Sequence, residues 1–195
     1  PEDAVDLCQC LNRAVYVLRR RWYLDAAADL MDAALKLQGR MERTSLYALS
    51  SRTAARLAVD LGDLDHALMW IRRATNADLD LKLESGLCLD LAAEGFVAHI
   101  DGRFEMSILL RSLALKYTSL PVLSAQIHQD MAESYLLMGD LDQAGETLRL
   151  AERPFTDPLD RASFLSVRGE MLSQKGDESG AAAALGRGIE ILQGA

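Results

Sequence analysis

The sequence predicts an all-α fold, a right-handed α-solenoid of about ten helices paired into five antiparallel hairpins. Three observations carry that expectation. The first is a returning turn: "LGDLDHAL" at 61–68 and "MGDLDQAG" at 138–145 share G-D-L-D-x-A, with Gly62 and Gly139 77 residues apart. Gly102 in "IDGRFEMSI" lies 40 residues after Gly62 and 37 before Gly139, Gly176 in "QKGDESGAAAAL" lies 37 further on, and Trp22 in "RRWYLDAAADLMDAAL" lies 40 before Gly62. The second is a pair of small-residue columns. Five residues after each turn stand Ala27, Ala67, Ser107, Ala144 and Ala181, and seven further on stand Ala34, Ala74, Ala114, Ala151 and Gly188. Small side chains at two fixed points of one helix let a neighbouring helix come close. The third is composition. Alanine and leucine are abundant, aromatic content is 6%, and only four prolines interrupt the chain, a mix that favours helix over sheet.

The elements follow in order. The first hairpin is expected at about 4–20 and 23–38. Its first helix ends in "RRR" at 19–21, where cations complement the helix dipole. The second is expected at about 44–60 and 64–77, with Leu64, Ala67, Leu68 and Ile71 marking one apolar face after Gly62. The third runs from about 80–100, with Leu91, Gly95 and Ala98 on one face, to 104–117. The fourth pairs about 121–138, marked by Ile127, Met131, Ala132 and Tyr135, with 141–152, marked by Leu141, Ala144 and Leu148. The fifth pairs about 158–174 with 178–192 and is the more polar, with Ser163, Ser166, Ser173 and Glu178. Each turn glycine suits a helix end that requires positive φ, and Asp63, Asp140 and Asp177 suit the cap of the helix that follows. Between hairpins the expected turns are "LQGRME" at 37–42, "TNADLD" at 75–80, "KYTSLP" at 116–121 and "ERPFTDP" at 152–158. Pro121, Pro154 and Pro158 mark boundaries there. Residues 1–195 are thus expected to form one repeat domain, with units at about 1–41, 42–79, 80–120, 121–157 and 158–195.

The net charge of −8 argues against direct nucleic-acid binding, which needs a basic face against the phosphates. The acidity lies toward the C-terminal end: residues 1–60 hold nine Lys/Arg and eight Asp/Glu, residues 120–195 six and twelve. Cys8, Cys10 and Cys88 are an odd, sparse set and read as free thiols of a reducing cytosol. Glu2, Asp3 and Asp6 give the N-terminus the wrong sign for a signal peptide, and no apolar run approaches the ~20 residues of a membrane span. The expected location is cytoplasmic, without a membrane partner.

With turns and columns in place, the pattern resembles tetratricopeptide (TPR) repeats, whose hairpin carries G-D-apolar-x-x-A at its turn and a second small residue seven later. The resemblance covers almost the whole chain. It is most specific at 125–154, "AQIHQDMAESYLLMGDLDQAGETLRLAERP", where Ala132, Tyr135 and Pro154 also fit. Two features depart from it: the units exceed the family's usual length of about thirty-four residues, and Trp22 takes the place of the first turn glycine.

Catalytic and metal motifs are not found. His66, His99 and His128 are far apart, and no zinc, phosphate-loop, dinucleotide or nucleophile-elbow motif occurs. Carboxylate pairs such as Asp63/Asp65 and Asp140/Asp142 sit at helix starts, where capping explains them. No catalytic residue, cofactor or metal is expected. A catalytic reading would need a deep pocket holding a perturbed His99 or Glu133.

The resemblance implies a concave groove lined by the first helices of successive hairpins and used to bind peptides or protein segments. Carried over by distance from each turn, it marks Asn12, Tyr16, Arg19, Arg20, Arg52, Arg56, Phe96, His99, Gln129 and Glu133 as candidate groove residues. Arg52 and Arg56, four apart, share a helix face and with Arg19 and Arg20 suggest a basic patch suited to carboxylates. The expected function is therefore a non-enzymatic protein–protein interaction scaffold holding a peptide or protein segment, with an acidic segment favoured. The alternative is a sensor or regulatory module of a larger bacterial signalling or transcription-regulator protein.

Overall fold

The computed structural model describes residues 2–38, 44–152, 155 and 157–194, and these form ten α-helices with no strand among them. The helices are α1 (Glu2–Arg20), α2 (Leu24–Gln38), α3 (Ser45–Asp60), α4 (Leu64–Leu81), α5 (Glu84–Ile100), α6 (Phe104–Ala114), α7 (Pro121–Leu137), α8 (Leu141–Ala151), α9 (Pro158–Gln174) and α10 (Glu178–Gln193). A single 3-10 turn, Leu115–Tyr117, extends α6. Of the expected inter-hairpin turns, residues 39–42 of "LQGRME" and residues 153, 154 and 156 of "ERPFTDP" lie outside the described residues, and with them the boundary at 41/42 and Pro154.

All five turns within hairpins are built alike. Gly62, Gly102, Gly139 and Gly176 take φ of +79°, +75°, +78° and +82°, and Trp22 takes the same left-handed backbone at +60°. The residue after each donates its N–H back to a carbonyl five positions earlier: Tyr23 to Leu18 at 3.0 Å, Asp63 to Ala58 at 2.8 Å, Arg103 to Ala98 at 2.8 Å, Asp140 to Tyr135 at 2.9 Å and Asp177 to Leu172 at 2.9 Å. This closes the orphan carbonyls of the first helix. The expected aspartate caps form next. The Asp63, Asp140 and Asp177 carboxylates accept from the N–H groups of His66, Gln143 and Gly180 at 3.1, 3.1 and 2.9 Å. Pro121 and Pro158 open α7 and α9 in their first turns, where a missing N–H costs nothing.

The small columns are the packing contacts. Ala27, Ala67, Ser107 and Ala144 are fully buried, as are Ala34, Ala74, Ala114 and Ala151, and Ala181 and Gly188 are buried too. One expectation fails. "TNADLD" at 75–80 is not a turn: α4 continues through it to Leu81, and the chain reverses at Lys82, which takes left-handed φ of +54°. The reason is tertiary. Ala77 and Asp78 are buried, and Asp78 is bonded to Arg52, which outweighs the turn preference of Asn and Asp.

The chain forms two compact units, Pro1–Val97 and Ala98–Ala195. In the first, Val15, Met31 and Leu57 centre one apolar cluster, and Ala58, Ile71 and Val97 another. In the second, Leu136, Leu148, Phe155, Phe164 and Val167 form the main cluster. Each of these side chains larger than alanine contributes about 1.5–3 kcal/mol by leaving water, so each unit is held by its own hairpin-to-hairpin contacts.

Candidate functional site

The candidate groove residues begin with buried junctions between hairpins. Asn12 stands ten residues before the first turn. Its Nδ2 donates to Ser50 Oγ at 2.6 Å, and Gln38 Nε2 donates to the same oxygen at 2.5 Å. Forty residues on, the same three places hold Arg52, Asp78 and Asp90. Arg52 Nη1 reaches Asp78 Oδ2 at 2.5 Å and Asp90 Oδ1 at 3.0 Å, both carboxyls being 1% exposed. Gly86 makes room, since a methyl group there would overlap the Asp78 carboxylate. One guanidinium faces two carboxyls whose other oxygens, Asp78 Oδ1 and Asp90 Oδ2, are buried without a partner. Burial, reinforced by Asp78 and opposed by Arg52, pushes Asp90 up to about 6. In the second unit the equivalent places hold Gln129, Phe155 and Phe164. There the rings pack with centroids 5.7 Å apart, and Gln129 Nε2 donates to Ser163 Oγ at 2.7 Å.

The structure thus sorts the ten candidates. Asn12 and Gln129 are buried links between first helices. Arg19 pairs with Asp60 at 2.7 Å and Arg52 with Asp78 and Asp90. Arg56 lies over the Phe96 ring at 5.3 Å. Arg20 lies over the half-exposed Tyr16 ring and donates to its hydroxyl at 3.1 Å. The expected basic patch is therefore largely engaged with the protein itself. His99 and Glu133 meet in one place.

That place is a cleft of about 220 Å³ in the second unit, lined by His99 of α5, Glu133 and Leu137 of α7, and Ser163, Ser166, Val167 and Glu170 of α9. Val167 is buried, while Ser163, Ser166 and Glu170 are exposed. Burial drives the Glu133 carboxyl up to about 7, with Asp130 and Glu170 adding to the rise and Gln129 and Arg111 resisting it. Burial, helped by nearby Arg111, holds His99 below the ordinary imidazole range. A catalytic reading asks for a deep pocket around a perturbed His99 or Glu133; this cleft holds both groups and is open to solvent along Leu137, Ser163, Ser166 and Glu170. His99 Nδ1 lies 2.9 Å from the hydroxyl of Ser134, which is fully buried, while the exposed hydroxyls of the cleft are those of Ser163 and Ser166.

Behind the cleft sits Arg111, 1% exposed, bonded to Ser107 Oγ at 2.5 Å, Ser134 Oγ at 3.1 Å and the Asp130 carbonyl at 3.1 Å. Sequence reasoning missed it, together with Asp78, Asp90 and Gln38. A signal was present. Arg111 occupies the column of Met31, Ile71 and Leu148, Ser134 that of Leu57, Val97 and Met171, and Ser107 that of the alanines. Three polar departures from apolar columns meet in space because none could be buried alone. A second hollow, about 360 Å³ between α8 and α9, lies over Leu148, Phe164 and Met171 where Gly145 supplies no side chain. Among the described residues no group of His, Cys, Asp and Glu is placed to hold a metal, and no helix is long and apolar enough to cross a membrane.

No family model matches the sequence, and no curated protein matches it. Solved structures do. BtubC (BKLC) from P. vanneervenii is 17% identical with a TM-score of 0.63, over 98% of this chain and 91% of its own. A P. anserina kinesin light chain with nearly identical TPR-like repeats is 12% identical with a TM-score of 0.70, over 97% of this chain and 96% of its own. A single-substitution variant of the latter gives 12% identity and a TM-score of 0.72, over 98% and 96%. At such identities the likeness is one of fold, and the fold is that of a TPR-like α-solenoid.

Proposed function

We propose that residues 1–195 act as one non-enzymatic repeat domain, a scaffold that holds a segment of a protein partner against its first helices. The observation that supports this most is the cleft in the second unit. Its walls come from α5, α7 and α9, and it sets the exposed Ser163, Ser166 and Glu170 and the half-buried Glu133 beside the apolar Val167 and Leu137. Recognition surfaces combine an apolar floor with a few placed polar groups in this way. An acidic segment is disfavoured at the first helices of the first unit, because Arg19 and Arg52 already have carboxylate partners.

The test is display of random twelve-residue peptides against the folded chain. Selected peptides should lose binding to Ser166→Trp, which fills the cleft, and keep it for Glu190→Lys on the exposed face of α10. Peptides indifferent to Ser166→Trp, or none selected at all, would count against the scaffold reading.

A further inference from the structure

We propose that the cleft walled by α5, α7 and α9 seats one cationic side chain, the lysine or arginine of a partner segment; this rests on the scaffold reading and names the chemistry of its ligand. At about 220 Å³ the hollow suits a single side chain better than a drug-sized molecule, which takes ~300 Å³ or more. Val167 and Leu137 offer a wall for a methylene stem, and Glu133 and Glu170 offer acceptors for its charged head. Ser163 and Ser166 add hydroxyl oxygens, and among the described residues the lining contains no lysine or arginine.

The contrast with other shielded carboxylates in the molecule sharpens the assignment. Asp78 and Asp90 are met by Arg52, and Asp60 by Arg19. Among the described residues Glu133 and Glu170 enter no ion pair. Arg111, the cation behind the cleft, is 1% exposed, is bonded to Ser107, Ser134 and the Asp130 carbonyl, and has Asp130 Oδ2 at 3.5 Å. Glu133 is thus left with its proton held up to about pH 7 by burial and by Asp130 and Glu170. An arriving cation reverses that balance. An anion would meet two carboxylates, and a neutral apolar side chain would bury them unpaired.

The experiment is an NMR titration of the ¹⁵N-labelled chain with Nα-acetyl-lysine amide, Nα-acetyl-arginine amide, the uncharged isostere Nα-acetyl-norleucine amide, and putrescine. The lysine or arginine compound should shift the amides of residues 133–137 and 163–170, and the norleucine compound should not. Glu133→Gln and Glu170→Gln should each weaken binding about tenfold, and Glu190→Gln should leave it unchanged. Binding should also weaken from pH 8 to pH 5.5 as Glu133, flanked by Asp130, Glu170, Gln129, Arg111 and His99, takes up its proton. If Glu133→Gln fails to fold, Glu170→Gln on the exposed wall gives the same reading. Equal binding of the norleucine compound, shifts confined to other residues, or indifference to Glu170→Gln would overturn the proposal, as would putrescine binding tenfold tighter than the lysine compound. Display-selected peptides that need the cleft yet lack lysine and arginine would remove the cation seat and leave the scaffold. Shifts by the lysine compound without any groove-dependent peptide would do the reverse.

Discussion

Raising the pH from 5 to 8 should destabilise the first unit, and Asp90→Asn should remove most of that effect. Asp90 sits 1% exposed beside Arg52 and Asp78, and its pKa is raised from 3.8 to about 6. Between those values the folded chain keeps a proton that the unfolded chain has released. The unfolded state therefore binds fewer protons, and stability falls as pH rises through the window. At about 1.4 kcal/mol per tenfold change in proton affinity the whole shift is worth about 3 kcal/mol, of which about 1.4 kcal/mol is lost between pH 5 and pH 8, the loss being complete from about pH 7 upward. The two tryptophans, Trp22 and Trp70, both lie in the first unit, so their fluorescence isolates its urea transition. Glu133, raised from 4.5 to about 7, acts with the same sign on the second unit, and His99 and His128, held low by burial, act against it below pH 6.5. Asp90→Asn leaves Arg52 and Asp78 as a one-to-one ion pair, with the amide Oδ1 still placed to accept from Arg52. At pH 8 the variant should exceed the parent by about 1–2 kcal/mol, and at pH 5 the two should agree within about 0.5 kcal/mol. A parent midpoint that is flat or rising from pH 5 to 8, or a variant less stable at pH 8, would refute the account of this junction.

Four glycine-related changes test the backbone and packing arguments. Trp22→Gly should raise the melting temperature, worth about 1 kcal/mol, because Trp22 holds left-handed φ of +60° and is 75% exposed. Gly139→Ala should cost about 1 kcal/mol although its surroundings are empty, since the strain at φ of +78° is local; equal melting temperatures by circular dichroism would contradict both. Gly86→Ala should cost about 2–4 kcal/mol in the tryptophan-monitored urea transition by pushing Asp78 off Arg52, and a loss under about 0.5 kcal/mol would show that the cradle is slack. Gly145→Ala should gain about 0.5–1 kcal/mol in thermal melts, because its methyl meets only the flexible Lys175 Nζ at 3.3 Å and Met171 Sδ at 3.9 Å inside a helix.

Turns and alanine columns were legible because each imposes one requirement on one residue. Left-handed φ at 62, 102, 139 and 176 asks for glycine, and a close helix approach at 27 or 67 asks for a small side chain. The end of α4 was not legible. Asn76, Asp78 and Asp80 carry turn preference, and only the distant Arg52 makes Asp78 an interior residue. The site divides in the same way. His99 and Glu133 were placed by counting from the turns, and the cleft does bring them together. Arg19 and Arg52 looked like free surface cations, because a sequence does not display the Asp60, Asp78 and Asp90 that occupy them. Arg111 failed for a related reason: an arginine alone reads as solvated, and its burial depends on two serines in other helices.

The junctions share one geometry but differ in chemistry: amide to hydroxyl at Asn12, Gln38 and Ser50, ionic at Arg52, Asp78 and Asp90, aromatic at Phe155 and Phe164. Such couplings are keyed. Transplanting the hairpin that holds Arg52 to stand before Ser50 would strip the guanidinium of one counter-charge, and placing it before Phe164 would face it with a hydrocarbon ring. Shuffling or duplicating hairpins at the gene level would therefore be punished at the seams even where every hairpin is individually sound, so the order of modules along the chain is written into the seams themselves.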